Sequence, residues 1–221
     1  SREKCRMRAS SVSTSKCMRD TEPGSSRLAI TRVPISNSTG NGNIMRSSYW
    51  GYCLMNNLKA DLRRKQQIFH DDGASVSMLR IFMADGTSAN VLYRLMRWFA
   101  AAGVSPLAYL CYQLNKLLNG CVIGIGAEFG PGFVLMHPVG VVINSKVRGG
   151  ENITIESGVV IGDDKGRSPT LESDIFIGAG AKVIGPVHIG NNVKIGANAV
   201  VTKSAPDKAT MLGVPAKPYL R

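Results

Sequence analysis

Aliphatic residues return at every sixth position between Ile123 and Val201, a period that belongs to neither a helix nor a strand. Ile123, Phe129, Leu135, Val141, Val147, Ile153 and Val159 form one ladder, and a second runs two residues later through Ile125, Ile143, Ile155 and Ile161. After an irregular stretch the series resumes at Ile177, Val183, Ile189, Ile195 and Val201. Six residues make one short strand and a corner. Three such units close a triangular coil whose apolar side chains stack on those of the coil above. Gly178, Gly185, Gly190, Asn191, Asn192, Gly196 and Asn198 fall between the ladder positions, as corners demand small residues or ones that accept positive φ. An antiparallel meander would alternate with period two instead. The predicted fold class is therefore mainly β, a parallel β-helix of hexapeptide repeats over residues 121–205, followed by a turn and tail over 206–221.

Upstream the spacing becomes helical. Leu54, Leu58 and Leu62 share one face, and Val91, Leu92, Leu95, Met96 and Phe99 another, which predicts an α-helical cap domain over 49–120. A solenoid needs such a cap because its first coil otherwise exposes an apolar end. Trp98 to Asn115 carry no charge, yet Gly103 and Pro106 divide the run, and it falls short of the roughly 20 residues a membrane span requires. A helical hairpin is predicted there; contact with a membrane surface is left open but not expected.

Charge and cysteine usage narrow the partners. Of the net charge of +12 across 221 residues, part sits in the first 44, where eight Lys or Arg outnumber three acidic residues among many Ser, Thr, Asn and Gly. Residues 1–48 are expected to be a disordered tail, or in part the product of a misassigned start, without the apolar run of a secretory signal. No nucleic-acid motif accompanies the basic charge, which suits an anionic cofactor better. Cys5, Cys17, Cys53, Cys111 and Cys121 are odd in number and lack metal-ligand spacing, so free thiols, a reducing cytoplasmic setting and no metal are expected.

His137 stands six residues from Pro131 and Ile143, which reads as an inward ladder position where an imidazole is out of place for packing. His188, between Val187 and Ile189, reads as outward, and His70 lies in the helical region beside Asp71 and Asp72. The runs Gly130-Pro131-Gly132-Phe133-Val134-Leu135-Met136-His137-Pro138-Val139-Gly140-Val141-Val142-Ile143-Asn144, Ile177-Gly178-Ala179-Gly180-Ala181-Lys182 and Gly213-Val214-Pro215-Ala216-Lys217 resemble the serine acetyltransferase family of left-handed β-helix acyltransferases. Within that family they look most like the branch that acts in polysaccharide biosynthesis. The resemblance spans residues 55–218 and carries the expected left-handedness, which the repeat pattern does not determine.

The resemblance implies an acetyl-CoA-dependent O-acetyltransferase in which His137 acts as general base on an acceptor hydroxyl. It implies a homotrimer, or two trimers stacked, with acetyl-CoA lying in a groove between subunits. Ala179 and Ala197 match positions along the pantetheine arm, Gly162 is a cofactor-side candidate at the corner beside the inserted loop 163–170, Gly213 matches the turn at the adenine end, and Lys194 and Lys217 match positions facing phosphates. Lys182 reads as outward, at the rim or in the groove. Asp71 corresponds to an acidic residue of the acceptor pocket. Asn144 and Arg167 are the other acceptor-side candidates.

Two departures bear on the acceptor. The family carries an orienting aspartate fifteen residues before its histidine, where this chain has Val122. Its Arg-His-Pro segment, which contacts the serine carboxylate, is Arg167-Ser168-Pro169 here. On these positions a sugar or glycan hydroxyl is the expected acceptor, with a serine O-acetyltransferase of cysteine biosynthesis as the alternative and an inactive β-helix scaffold as a third reading. The end at Tyr219-Leu220-Arg221 lacks the terminal isoleucine with which the family docks onto its pathway partner.

Overall fold

The computed structural model describes the backbone of residues 42–220 and the side chains of residues 54–220. Four helices come first: α1 (Gly42–Asp71), α2 (Met78–Met83), α3 (Thr87–Ala101) and α4 (Ser105–Asn119). The expected tail lies outside the described residues up to position 41, and α1 already occupies 42–48. The uncharged run is the predicted helix pair, broken between α3 and α4 by Gly103 at φ 80° and with Pro106 in the first turn of α4. None of the described helices is long and apolar enough to cross a membrane.

Short strands then wind a parallel β-solenoid. The first face stacks β1 (Val122–Ile123), β4 (Val142–Ile143), β7 (Val160–Gly162), β10 (Lys182–Ile184) and β13 (Val200–Val201). The second stacks β2 (Glu128–Phe129), β5 (Arg148–Gly149), β8 (Thr170–Leu171) and β11 (His188–Ile189). The third stacks β3 (Val134–Leu135), β6 (Thr154–Ile155), β9 (Phe176–Ile177), β12 (Lys194–Ile195) and β14 (Ala209–Leu212). It closes with β15 (Lys217–Leu220), which turns back antiparallel on β14. Coil pairing thus continues through β14, past position 205.

Each coil presents two inward positions per strand and corner, and nearly all are aliphatic and buried: Ile153 and Ile155, Val159 and Ile161, Ile175 and Ile177, Val193 and Ile195. Ile125, placed on the second ladder by sequence, is only partly buried and packs against the edge of this core. Pairing offsets locate two interruptions of the six-residue period. Lys182 pairs with Val160 across 22 residues instead of 18, which puts four extra residues in the loop between β7 and β8, as the irregular stretch predicts. Val142 pairs with Val122 across 20, and the two extra residues fall between β3 and β4, at the corner that contains His137.

The strands of the first coil have nothing above them in their sheets, so a row of their N–H and C=O groups points upward without a coil to receive it. Polar side chains of the helices take that place. Tyr93 Oη donates to Ala127 O and accepts from Phe129 N, both at 3.1 Å. Arg94 donates to Phe129 O at 2.8 Å and Gly130 O at 2.7 Å, and Arg97 to Ile125 O at 2.8 Å. Asn90 donates to Phe133 O and accepts from Leu135 N at 3.0 Å. Asp61 accepts from Phe133 N at 3.0 Å and forms a two-pronged ion pair with Arg94 at 2.7 and 2.9 Å, with both side chains at most 5% exposed. The buried face of α1 is therefore charged at Asp61 and Lys65, while Leu54, Leu58 and Leu62 are only half-buried.

Removing one partner of a buried ion pair leaves the other charge uncompensated. Asp61→Ala is expected to cost about 3–5 kcal/mol of unfolding free energy in urea titrations, against about 0–1 kcal/mol for Glu128→Ala, whose pair with Arg97 is solvent-exposed.

Candidate active site

Because two extra residues bulge the corner between β3 and β4, His137 does not point inward as the six-residue count suggests; its side chain is 60% exposed. The neighbouring backbone is well held: Met136 N donates to Ile155 O, Val141 N to Pro138 O and Gly140 N to Gly120 O. The imidazole stands on a fixed corner, facing outward.

Its partner comes from the helical domain. Asp85, between α2 and α3, places Oδ2 2.9 Å from His137 Nδ1, while Oδ1 accepts the N–H of Gly86 at 3.0 Å. Gly86 is the N-cap of α3 at φ 77°, and any Cβ there would collide with the carbonyl of Leu135. Lys65 closes the join by donating to the backbone carbonyls of Asp85 and, at 3.2 Å, Leu135. Lys65 is 3% exposed, and burial lowers its ammonium to about 8, with the charges of Asp85 and Glu156 pulling the other way. A carboxylate on Nδ1 favours the tautomer with its proton there, which leaves the lone pair to Nε2; that nitrogen has no hydrogen-bond partner among the described residues.

The other candidates divide between two edges of the triangular coil. On the edge between the third and first faces, below His137, corner glycines stack closely. A Cβ on Gly140 would lie 3.3 Å from Gly158 Cα, and one on Gly158 would lie 3.7 Å from Gly180 Cα. Ala179 and Ala197 occupy successive corners of this edge, joined by a hydrogen bond from Asn198 N to Ala179 O at 2.8 Å. Gly213 continues it, accepting from Val200 N at 3.0 Å. Lys182 lies along the same edge, half-buried, with Nζ donating to Gly158 O and Gly180 O. Lys194, with Asn192, Lys208 and Thr210, lines a depression on the third face, and Lys217 is exposed two strands away.

Asn144, Gly162 and Arg167 sit on the opposite edge of the first face. Asn144 Oδ1 accepts from Lys146 N at 2.9 Å and Ser168 Oγ at 3.2 Å, and its Nδ2 donates to Asp163 Oδ1 at 3.2 Å, so it ties down the base of the inserted loop. Arg167 is exposed at the tip, where its backbone pairs with that of Asp164 at 2.9 and 3.0 Å. Within one chain these residues do not join His137. Asp71 ends α1 and accepts from Gln67 of the same helix at 2.7 Å, and no contact among the described residues brings it to the imidazole. His188 is exposed beside Thr170, as its outward reading predicts. Cys111 and Cys121 are free and buried; the side chains of Cys5, Cys17 and Cys53 lie outside the described residues.

Sequence reasoning missed Asp85 and Lys65. An Asp-Gly pair before a helix signals a turn, but nothing in the pattern says what that turn touches.

The sequence profile of the family described as "Bacterial transferase hexapeptide (six repeats)" matches residues 168–203. A serine acetyltransferase of Mycobacterium tuberculosis is 35% identical over 166 residues, covering 73% of this chain and 72% of its own. The chain belongs to the serine acetyltransferase family. Among solved structures, the Neisseria gonorrhoeae serine acetyltransferase in complex with serine superposes with a TM-score of 0.71 at 30% identity, covering 80% of this chain and 73% of that one. A serine acetyltransferase complex with CoA gives a TM-score of 0.71 at 26% identity over 80% of this chain and 74% of that one.

Membership makes the chain an acyltransferase with acetyl-CoA as donor. It also corrects the branch: the relatives and structures it matches are serine acetyltransferases, so neither the polysaccharide assignment nor the sugar acceptor is upheld. The sugar expectation rested on Ser168, Val122 and the run from His137 to Asn144, a small part of the matched length.

The folded-state value of about 8 at Lys65 lies below its ordinary 10.5, so between them the unfolded chain holds a proton that the folded chain has released. Stability from this group therefore rises with pH through that window. In urea titrations, wild type is expected to gain on Lys65→Met between pH 8 and pH 10.5. Groups common to both proteins cancel in the difference, and a constant difference would contradict the burial argument.

Proposed function

We propose that this protein transfers the acetyl group of acetyl-CoA to the hydroxyl of L-serine, with His137 as general base. The observation that supports it most is an exposed imidazole with Nδ1 engaged by a carboxylate and Nε2 presented outward, on a chain whose relatives are serine acetyltransferases. Nε2 takes the hydroxyl proton as the serine oxygen bonds to the thioester carbon. The carbon–sulfur bond then breaks, and the departing thiolate recovers the proton from the imidazolium, giving O-acetylserine and CoA.

Donor binding is assigned to the edge below His137. The stacked glycines with Ala179 and Ala197 leave a track for the pantetheine arm, Gly213 turns at the adenine end, and Lys194 and Lys217 meet phosphates as point charges. Gly162, on the other edge, contributes only from a neighbouring subunit. A homotrimer, alone or stacked as two, supplies that neighbour by setting the inserted loop of one copy against the His137 edge of the next. Arg167 then offers a guanidinium for the serine carboxylate where Ser168 replaces the ring of the Arg-His-Pro segment, Asn144 holds the loop, and Asp71 remains an acidic candidate for the ammonium. Free Cys111 and Cys121 fit a reducing, cytoplasmic setting.

Thiol release from acetyl-CoA with L-serine by the purified protein is the test. His137→Ala is expected to lower kcat roughly 10²-fold or more. Release that ignores His137 would refute the base, and the absence of release with serine would refute the acceptor.

A further inference from the structure

A histidine base needs a partner on its second nitrogen, and Val122 offers only a hydrocarbon where the resembling enzymes carry an aspartate. We infer that Asp85, supplied by the helical domain, is the positioning residue of His137. This inference takes its catalytic meaning from the reading of His137 as general base.

Four contacts fix Asp85 relative to the imidazole. Lys65 binds the carbonyls of Asp85 and Leu135 together, so the α2–α3 turn is fastened to β3 two residues before His137. Gly86 lets that turn lie against the Leu135 carbonyl at a distance no side chain would permit. Asn90, one turn into α3, bonds two groups on the same open edge of that strand, Phe133 O and Leu135 N, which sets the rotation of the helix. The carboxylate is then divided, with Oδ1 on the Gly86 N–H and Oδ2 on the imidazole. Turning it away from His137 would forfeit the Gly86 bond as well.

A purely structural role accounts poorly for this arrangement. Asp85 and His137 are 61% and 60% exposed, and pairs so exposed to solvent contribute little to stability. What the contact does supply is selection of the Nδ1–H tautomer and of the ring's orientation, which a base acting through Nε2 requires. The orienting acid has in effect moved from the coil to the cap, so catalytic geometry depends on how the two are joined at Lys65 and Gly86.

The test compares wild type with Asp85→Ala by two readouts. The ¹⁵N shifts of the His137 imidazole, identified by its loss in His137→Ala, report the tautomer without any substrate. They are expected to show Nδ1–H in wild type and a shift toward Nε2–H in Asp85→Ala. Steady-state kinetics are expected to show kcat falling roughly 10²-fold or more with KM for L-serine and acetyl-CoA little changed, and with the urea midpoint preserved. An unchanged tautomer in Asp85→Ala overturns the inference, as does a loss that falls on KM for serine with kcat retained, which would make Asp85 a substrate contact. Should wild type fail to acetylate serine, the proposed acceptor fails while the tautomer comparison still decides the role of Asp85.

Discussion

The row of backbone groups left open at the top of the first coil is the constraint from which the rest follows. Every lower coil receives hydrogen bonds from its neighbour, but β2 and β3 have none above them, and burying their upward N–H and C=O groups unpaired would cost roughly 1–3 kcal/mol each. The helices answer with side chains. Asn90, Tyr93, Arg94 and Asp61 reproduce, group by group, the hydrogen bonds an additional coil would have made. That explains why a domain whose hydrophobic spacing suggests apolar packing buries so many polar groups, and why burial, raising the Asp61 carboxyl, is opposed by Arg94 and by the Phe133 N–H.

The same join builds the candidate site. Lys65 completes the row by taking the Leu135 carbonyl, and because it also holds the Asp85 carbonyl it carries the capping function directly into the neighbourhood of His137. Capping and positioning are thus not separable at this corner. A change that loosens the cap on β3 is expected to displace the carboxylate before it unfolds the solenoid, since the lower coils rest on their own ladder of buried isoleucines and valines.

Much of the architecture was legible because a six-residue period has few physical causes, and the four-residue insertion showed itself as a break in the ladder. The two-residue insertion did not. Each strand and corner offers two inward positions two residues apart, so inserting two residues moves the chain from one inward position to the other: Leu135 is followed six residues later by Val141, still buried, although the strand itself now begins at Val142. The ladder continues unbroken across a shifted register, and His137 is misassigned to the interior. Asp85 was illegible for a different reason. Its partner lies 52 residues away in the chain, and only the docking of two dissimilar domains brings them together. The expected sugar acceptor, which the relatives do not support, leaned on reading Ser168 and Val122 as losses of function, and the role inferred for Asp85 offsets the second of them.

The separation of the candidate residues onto two edges carries a further consequence. His137, Ala179, Ala197 and Gly213 follow one edge, while Asn144, Gly162 and Arg167 follow the opposite edge of the same face. A triangular coil is rigid across a face, because its interior is filled by stacked aliphatic side chains, so no motion within one chain folds one edge onto the other. If both sets serve one reaction, they meet between copies. In the proposed trimer the exposure of His137 and Asp85 in the single chain has a natural meaning: the cap of its own subunit orients the proposed base, and the next subunit encloses it. In that trimer, orientation by the cap and enclosure by the inserted loop thus fall to different chains.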